Sequence, residues 1–275
     1  MNSRRIRGKE WGRSVLSPVF LAVILTCGVL EYLDVTSSLM FVSDRTNGDL
    51  MSSVLQYYTM RDGLLSVAAL CIMTLAGTTL YAQDYEENAV YMRIQRMGKS
   101  GYVGARMLQT VVSAFVCGVA AFLLCLILTA VTYRLPVLTW GSDAEPYTME
   151  SLLAAGHTAA YLVVKCLQVG YKYLYYGVVT LGISFFVPKR KVVIAVPVIL
   201  WYMNQYVLSG IPGIPAFICP SIIFADGTSI SEILKVSPLA GTLILTGMQI
   251  CLVLAVSILF YVRIRNQGIF GGESE

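Results

Sequence analysis

The amino-acid sequence predicts an all-α membrane protein with six transmembrane helices and with both termini in the cytoplasm. Three observations support this prediction: the chain is apolar, its apolar residues fall into six runs, and its basic residues are concentrated on alternate links between those runs. Hydrophobic residues make up 56% of the chain and charged residues only 13%, whereas soluble domains are about 25% charged. Because the chain has no internal repeat, we expect a single transmembrane domain covering residues 1–275.

Each apolar run predicts one crossing, since a transmembrane helix needs about 20 residues. The third and fourth runs are longer than a crossing requires, so we expect helix tilt or an amphipathic lead-in there. The six runs cover residues 18–32, 64–82, 103–131, 160–187, 192–208 and 239–262.

The basic residues predict the orientation of the helices. Fourteen lysine and arginine residues lie on one alternate set of links and four lie on the other. Because basic residues are retained on the cytoplasmic side, the richer set, which includes the N-terminal segment, is cytoplasmic. The richer set contains Arg4, Arg5, Arg7, Lys9, Arg13, Arg93, Arg96, Lys99, Arg106, Lys189, Arg190, Lys191, Arg263 and Arg265, and the poorer set contains Arg45, Arg61, Arg134 and Lys235.

Residues 84–102 predict a short helix on the cytoplasmic face between the second and third runs. Asp84 followed by Glu87 has the spacing of a capping box, with Asp84 as the N-cap. Acidic residues precede basic ones along the segment, an order that suits the helix dipole. We expect Gly98 and Gly101 to end this helix before the third run begins.

The surface helix has two interpretations that the sequence leaves open. Val90, Ile94 and Met97 recur at spacings of four and three and form an apolar stripe, which would suit a helix seated among lipid headgroups. Bases alone fit that role, but anionic headgroups repel Glu86 and Glu87. The second interpretation is therefore a docking surface for a basic protein partner.

Polar side chains inside the fourth run raise a separate functional question. A charged residue in the bilayer core costs roughly 2.5–3.5 kcal/mol on insertion scales. Lys165 and Lys172 are seven residues apart and share a helix face with Gln168 and Tyr176. The stripe either lines a path for a polar or anionic substrate, or its lysines extend to the outer membrane surface.

The residue inventory provides no catalytic or metal site. Seven cysteines occur without a CxxC pair and His157 is the one histidine, which argues against a metal cluster. The chain has no GxSxG, HExxH or P-loop motif. An intramembrane CAAX-type protease would carry EExxxR, but Tyr91 occupies the arginine position after Glu86 and Glu87. We therefore expect no enzyme activity and no bound cofactor in this chain.

Three segments carry a resemblance to a known family. The second run ends in acidic residues within 81–87, and a short basic stretch and a glycine turn follow before Arg106. Residues 182–191 join the fourth and fifth runs through serine, apolar and basic positions, and Ser-Pro-Leu at 237–239 precedes the last run. In these features and in its whole layout, the chain resembles the permease subunits of ABC-2 type transporters.

The resemblance implies a permease of a prokaryotic plasma membrane, and an exporter. Two such chains, identical or homologous, would pair with two ATPase subunits that bind ATP and Mg²⁺, and nucleic acid would have no role. Residues 1–16 would form a cytoplasmic amphipathic N-terminal segment, and the segment 84–102 would be the coupling helix. Residues 209–238, rich in proline, would form either a re-entrant element or an ordinary outer loop. The alternative function is a polytopic scaffold or accessory protein. The implied coupling residues are Asp84, Glu86, Glu87, Arg93 and Arg96.

Overall fold

The computed structural model describes residues 17–39, 63–133, 150–208 and 227–266. All regular structure in these residues is helical, which confirms the predicted all-α class. Residues 1–16 and 209–226, which carry the predicted N-terminal segment and most of the predicted re-entrant link, lie outside the described residues. The helices are α1 (Pro18–Leu39), α2 (Leu64–Met73), α3 (Leu80–Glu86), α4 (Val90–Met97), α5 (Lys99–Tyr133), α6 (Glu150–Ala154), α7 (Thr158–Ser184), α8 (Arg190–Tyr202), α9 (Gly227–Leu234) and α10 (Pro238–Asn266).

Among the described residues, four helices are long and apolar enough to cross a membrane, and a bent pair would make a fifth crossing. The four are α1, α5, α10 and α8 together with the π-helical turn that extends it to Leu208; the bent pair is α2 with α3. The predicted fourth run forms α7, which has 27 residues but is not among these candidates. Lysine, glutamine and five tyrosine residues lower the hydropathy of α7.

Two of the links that the charge pattern assigns to one side of the membrane, those between α3 and α5 and between α7 and α8, meet at one end of the bundle. There, the end of α3 contacts the start of α5 through Asp84 and Arg106, and Glu86 contacts the start of α8. At the opposite end, Tyr32 of α1 bonds Thr132 near the end of α5 at 2.9 Å. The helices therefore alternate in direction, as successive crossings require.

Small residues bring the two central helices, α5 and α7, into close contact. A Cβ atom added at Gly118 would lie 2.8 Å from Cβ of Tyr173, and one added at Gly177 would lie 2.9 Å from Cβ of Ala114. Such approaches are possible only where a side chain is missing, and they are typical of helix pairs that pack within lipid. This pair forms the rigid centre around which the other helices are arranged.

Candidate functional site

The surface segment consists of two helices separated by a turn, and this arrangement corrects part of the sequence prediction. Asp84 lies inside α3, which runs on to Glu86, and α4 begins at Val90 with no side-chain cap. The predicted capping box is therefore wrong. Helix α3 continues the second apolar run, so the amides that Asp84 would have capped are already within a helix.

Gly98 ends α4 as predicted, with a φ of 75°, a backbone conformation that glycine adopts without strain. Its amide donates to the carbonyl of Ile94 at 2.7 Å. The prediction for Gly101 is wrong, because α5 begins at Lys99 and carries Gly101 within its first turn. The surface helix is thus connected to α5 by a single non-helical residue.

The apolar stripe of α4 packs against the protein itself. Val90 and Ile94 are buried in one cluster with Tyr102, Val103 and other residues of the helix bundle. The opposite face, including Tyr91, Met92, Gln95 and Arg96, is exposed. Because the bundle covers Val90 and Ile94, these residues do not require lipid headgroups to bury them. The opposite face, which carries both hydrophobic and polar side chains, remains exposed.

Asp84 is the centre of a buried ionic cluster between α3, α4 and α5. Its side chain is 3% exposed and its carboxylate accepts hydrogen bonds from Tyr102 Oη at 2.8 Å and Arg106 Nε at 2.9 Å. Arg93 of α4 approaches the other carboxylate oxygen at 3.2 Å. Arg106 also donates to Gln109 Oε1 at 2.7 Å. One carboxylate therefore joins the surface helix to the start of α5.

Glu86 joins the same segment to α8. Its carboxylate accepts a hydrogen bond at 2.8 Å from the backbone amide of Arg190, the first residue of α8. The N-cap residue of that helix, Lys189, forms no side-chain cap of its own. A carboxylate at a helix N-terminus satisfies a free amide and interacts favourably with the helix dipole. Glu86 therefore serves as the missing cap from 104 residues away.

Glu86→Ala is expected to loosen the first turn of α8 and leave the rest of the fold unchanged. Loss of a capping carboxylate costs about 1 kcal/mol, so amide hydrogen exchange near Arg190 should rise about fivefold. Hydrogen–deuterium exchange with mass spectrometry measures this change. Glu87→Ala is the matched control, because Glu87 bonds only the neighbouring Gln83 among described partners; equal exchange in the two variants would contradict the cap.

An aromatic cluster packs beside the ionic cluster. Phe185 at the end of α7 stacks on Phe260 of α10, with ring centres 4.0 Å apart. Tyr81 of α3 and Tyr102 of α5 each form an edge contact with Phe260, with ring centres 5.0 Å and 6.2 Å from its own. Four helices thus meet directly beside Asp84, which gives the surface segment a rigid base.

The polar stripe on α7 lies inside the folded chain. Lys165 is 1% exposed, Lys172 8% and Gln168 2%, and Tyr176 is similarly buried. Neither lysine extends to the surface of the described structure, which argues against the membrane-surface interpretation. The side-chain amide of Gln168 has no hydrogen-bond partner in the described protein. These four residues share one face of α7, and that face is separate from the ionic cluster at Asp84.

Sequence reasoning missed a second polar cluster, which contains two acidic residues of α1. Glu31 and Asp34 are both buried, and Ser66 Oγ lies 2.7 Å from one Glu31 oxygen and 2.8 Å from an Asp34 oxygen. Tyr173 Oη donates to the other Glu31 oxygen at 2.8 Å. The signal in the sequence was the pair of acids three residues apart at the end of an apolar run, where each charge needs a partner.

The described residues contain no group of three or more histidine, cysteine, aspartate or glutamate side chains that could hold a metal ion. No protein-family model, no curated protein and no solved structure matches this chain. The part of the chain that the structure describes is all-helical, with four to five helices long and apolar enough to cross a membrane. Its surface helix, α4, is joined to the bundle by the contact of Arg93 with Asp84.

Proposed function

We propose that the chain is the permease subunit of an ATP-binding cassette exporter of the ABC-2 type, and that α4 is its coupling helix. One observation carries the proposal: the apolar stripe of α4 packs on the bundle while the opposite face, with Gln95 and Arg96, is exposed. Arg93 of α4 contacts Asp84 of α3, and the α3 carboxylates Asp84 and Glu86 contact α5 and α8. A helix that only seats in headgroups needs no such attachment. A helix that must transmit a partner's movement does.

The contacts suggest how a displacement of α4 would reach the membrane helices. Arg93 on α4 contacts Asp84, which in turn holds Arg106 of α5. Glu86, two residues after Asp84, holds the first amide of α8. Charge-assisted hydrogen bonds are short and about twice as strong as neutral ones, so these contacts would keep the helices together through a transport cycle. Asp84 is buried and would position the partner-facing residues without contacting the partner.

The exposed charges of the segment are the proposed contact with the ATPase. Glu87 and Arg96 are both exposed. Glu87 lies at the end of α3 and Arg96 in the last turn of α4, so the two charges flank the segment that would enter an ATPase groove. Arg93 is partly exposed, with 32% of its side chain accessible. We propose that two ATPase subunits, which bind ATP and Mg²⁺, dock on two permease chains, either identical or homologous.

The α7 stripe is the proposed substrate path. Lys165, Gln168, Lys172 and Tyr176 are enclosed in the described chain, so a substrate would meet them only in another conformation or at the contact with a second chain. Alternating access requires such a change. A polar substrate fits this lining, because the buried side-chain amide of Gln168 has no hydrogen-bond partner among the described residues, and an apolar substrate would leave it unsatisfied. The proposal keeps six crossings, with α7 as the fourth, and both termini in the cytoplasm.

Charge reversal at Glu87 and Arg96 is expected to release the ATPase without unfolding the permease. The double variant Glu87→Lys with Arg96→Glu should reduce ATPase recovery in a mild-detergent pull-down from the native membrane by at least tenfold. Size-exclusion chromatography should show an unchanged permease. Reversals of this kind place like charges against the partner, a juxtaposition that costs several kcal/mol across an interface.

The control for this experiment is Lys235→Glu, since Lys235 is exposed and the charge pattern assigns it to the opposite side of the membrane. This variant should retain the ATPase. If the unaltered chain recovers no protein with a P-loop, the transporter function fails and the scaffold or accessory function takes its place. If the double reversal leaves recovery unchanged, α4 is not the docking surface.

A further inference from the structure

The second apolar run is interrupted in its middle. Helix α2 ends at Met73, a 3₁₀ turn covers Thr74–Ala76, and α3 begins at Leu80 at an angle of 55° to the segment before the break. Gly77 lies in the break, and Ser113 Oγ of α5 is 2.2 Å from the position that a Cβ atom on Gly77 would take. Helix α5 therefore packs directly on the backbone at the interruption.

Three threonine hydroxyl groups have no hydrogen-bond partner among the described residues: those of Thr78 in the break, Thr110 of α5 and Thr180 of α7. All three side chains are 0% exposed. Thr78 Oγ1 and Thr110 Cγ2 each lie 3.7 Å from the position of a Cβ atom added at Gly177. Thr180 follows Gly177 on the same helix by three residues, so it lies close to the same helix face.

Other threonines of the described structure behave differently. Thr36, Thr129 and Thr246 each donate to the carbonyl four residues earlier, at 2.8–2.9 Å. Thr129 is the most useful comparison, because it is also 0% exposed and lies on α5 with Thr110. A buried hydroxyl in this protein therefore can bond its own helix, and the three at the break are exceptions that require a partner.

We infer that the break holds buried water bound by the hydroxyl groups of Thr78, Thr110 and Thr180. Water supplies both donors and acceptors, and buried waters characteristically bridge polar groups that the protein leaves unpaired. Interrupted membrane helices are tolerated partly because ordered waters satisfy the backbone groups that the break exposes. The site follows from the break and the hydroxyl groups alone and does not depend on the proposed transport function.

A metal cation fits these residues less well than water. The nearest acid along α3, Asp84, is already bonded to Arg106 and Tyr102. Arg106 lies one helical turn before Thr110 on α5, so its positive charge disfavours a second cation nearby. A hydrated break would let α3, which carries Asp84, change its angle to α2, because water can exchange hydrogen bonds as the angle changes.

Isosteric substitution of the three threonines distinguishes bound water from a dry site, because the two alternatives predict opposite changes in Tm. Thr78→Val, Thr110→Val and Thr180→Val each remove a hydroxyl group with little change in volume. If the hydroxyls bind water, each variant should lower Tm by about 2–4 °C, more than Thr129→Val, which loses only a bond to its own helix. If the site is dry, valine removes an unsatisfied polar group, and Tm should stay the same or rise; that result overturns the proposal.

A second measurement detects the water directly. X-ray radiolytic footprinting labels buried side chains that a bound water touches but that bulk solvent does not reach. The peptide around the break, which contains the buried Met73, should be labelled in the unaltered protein and less in Thr78→Val. Absence of label there also overturns the proposal. A Tm that depends on Na⁺, K⁺ or choline as the buffer cation would assign the site to a metal ion instead.

Discussion

Asp84→Asn is expected to lower the free energy of unfolding by about 3–5 kcal/mol, the usual cost of removing one partner from a buried ion pair. The substitution keeps the shape of the side chain but removes its charge. Arg106, whose side chain is 6% exposed, then remains as a buried cation without its carboxylate. Tyr102 and Arg93 also lose a charged acceptor. Unfolding in graded detergent mixtures, followed by circular dichroism, measures the change.

The matched control is Glu87→Gln, three residues further along the same segment. Glu87 is exposed, and its carboxylate accepts a hydrogen bond from the uncharged side-chain amide of Gln83. The expected change in the free energy of unfolding is therefore within about 0.5 kcal/mol. If Asp84→Asn is no more destabilising than this control, the ionic cluster does not hold the surface helix to the bundle.

A double substitution separates the cost of an unpaired charge from the value of the pair. Arg106→Met in the Asp84→Asn background removes the stranded guanidinium and replaces it with an apolar side chain of similar length. Because buried ion pairs replaced by apolar residues are often neutral or stabilising, the double variant should recover most of the lost stability. The proposed coupling should nevertheless be weaker, since Arg93 would still lack its carboxylate partner.

The fold class and the apolar stripe of the surface segment were predictable because both depend on local properties. Both follow from the spacing of residue types along the chain: the apolar runs, the alternating basic links, and the recurrence of Val90 and Ile94. The spacing of apolar residues indicates which face of a helix is buried. The structure confirms helices in all six runs and the burial of the stripe. Six crossings, their absolute orientation and the ATPase partner stay predictions.

The role of Asp84 was not predictable from its neighbours. Asp84 and Glu87 have the spacing of a capping box, so local rules predict that Asp84 caps a helix. Asp84 lies inside α3, and its buried carboxylate is paired with Arg106, 22 residues later on α5. A buried carboxylate is stable only beside such a partner. Local capping rules contain no information about a contact made by a different helix.

The same limit applies to the buried charges of α1 and α7. The sequence shows that Glu31 and Lys165 are costly in a membrane, and that each needs a partner. It does not show that Tyr173 of α7 reaches Glu31 of α1 across the bundle, 142 residues apart. Close contact between α5 and α7, which positions Tyr173, depends on glycines whose significance appears only when the two helices are placed together.

Gly118→Leu is expected to destabilise the protein by about 3 kcal/mol, the upper end of the cost of overpacking a core. A Cβ atom at this position would lie 2.8 Å from both Cβ and Cγ of Tyr173. Those atoms are fixed close to the backbone of α7, so the two helices must separate. Because Tyr173 also donates to Glu31, separation would weaken the polar cluster as well as the packing.

Gly104→Leu on the same helix is the control, since nothing lies within 4 Å of a Cβ atom there and the residue is exposed. Leucine has a higher helix propensity than glycine, so this variant should be neutral or stabilising by up to about 1 kcal/mol. Thermal unfolding of both variants in one detergent gives the comparison. Equal stability of the two would mean that α5 and α7 do not touch at Gly118, and the central contact of the fold would have to be reassigned.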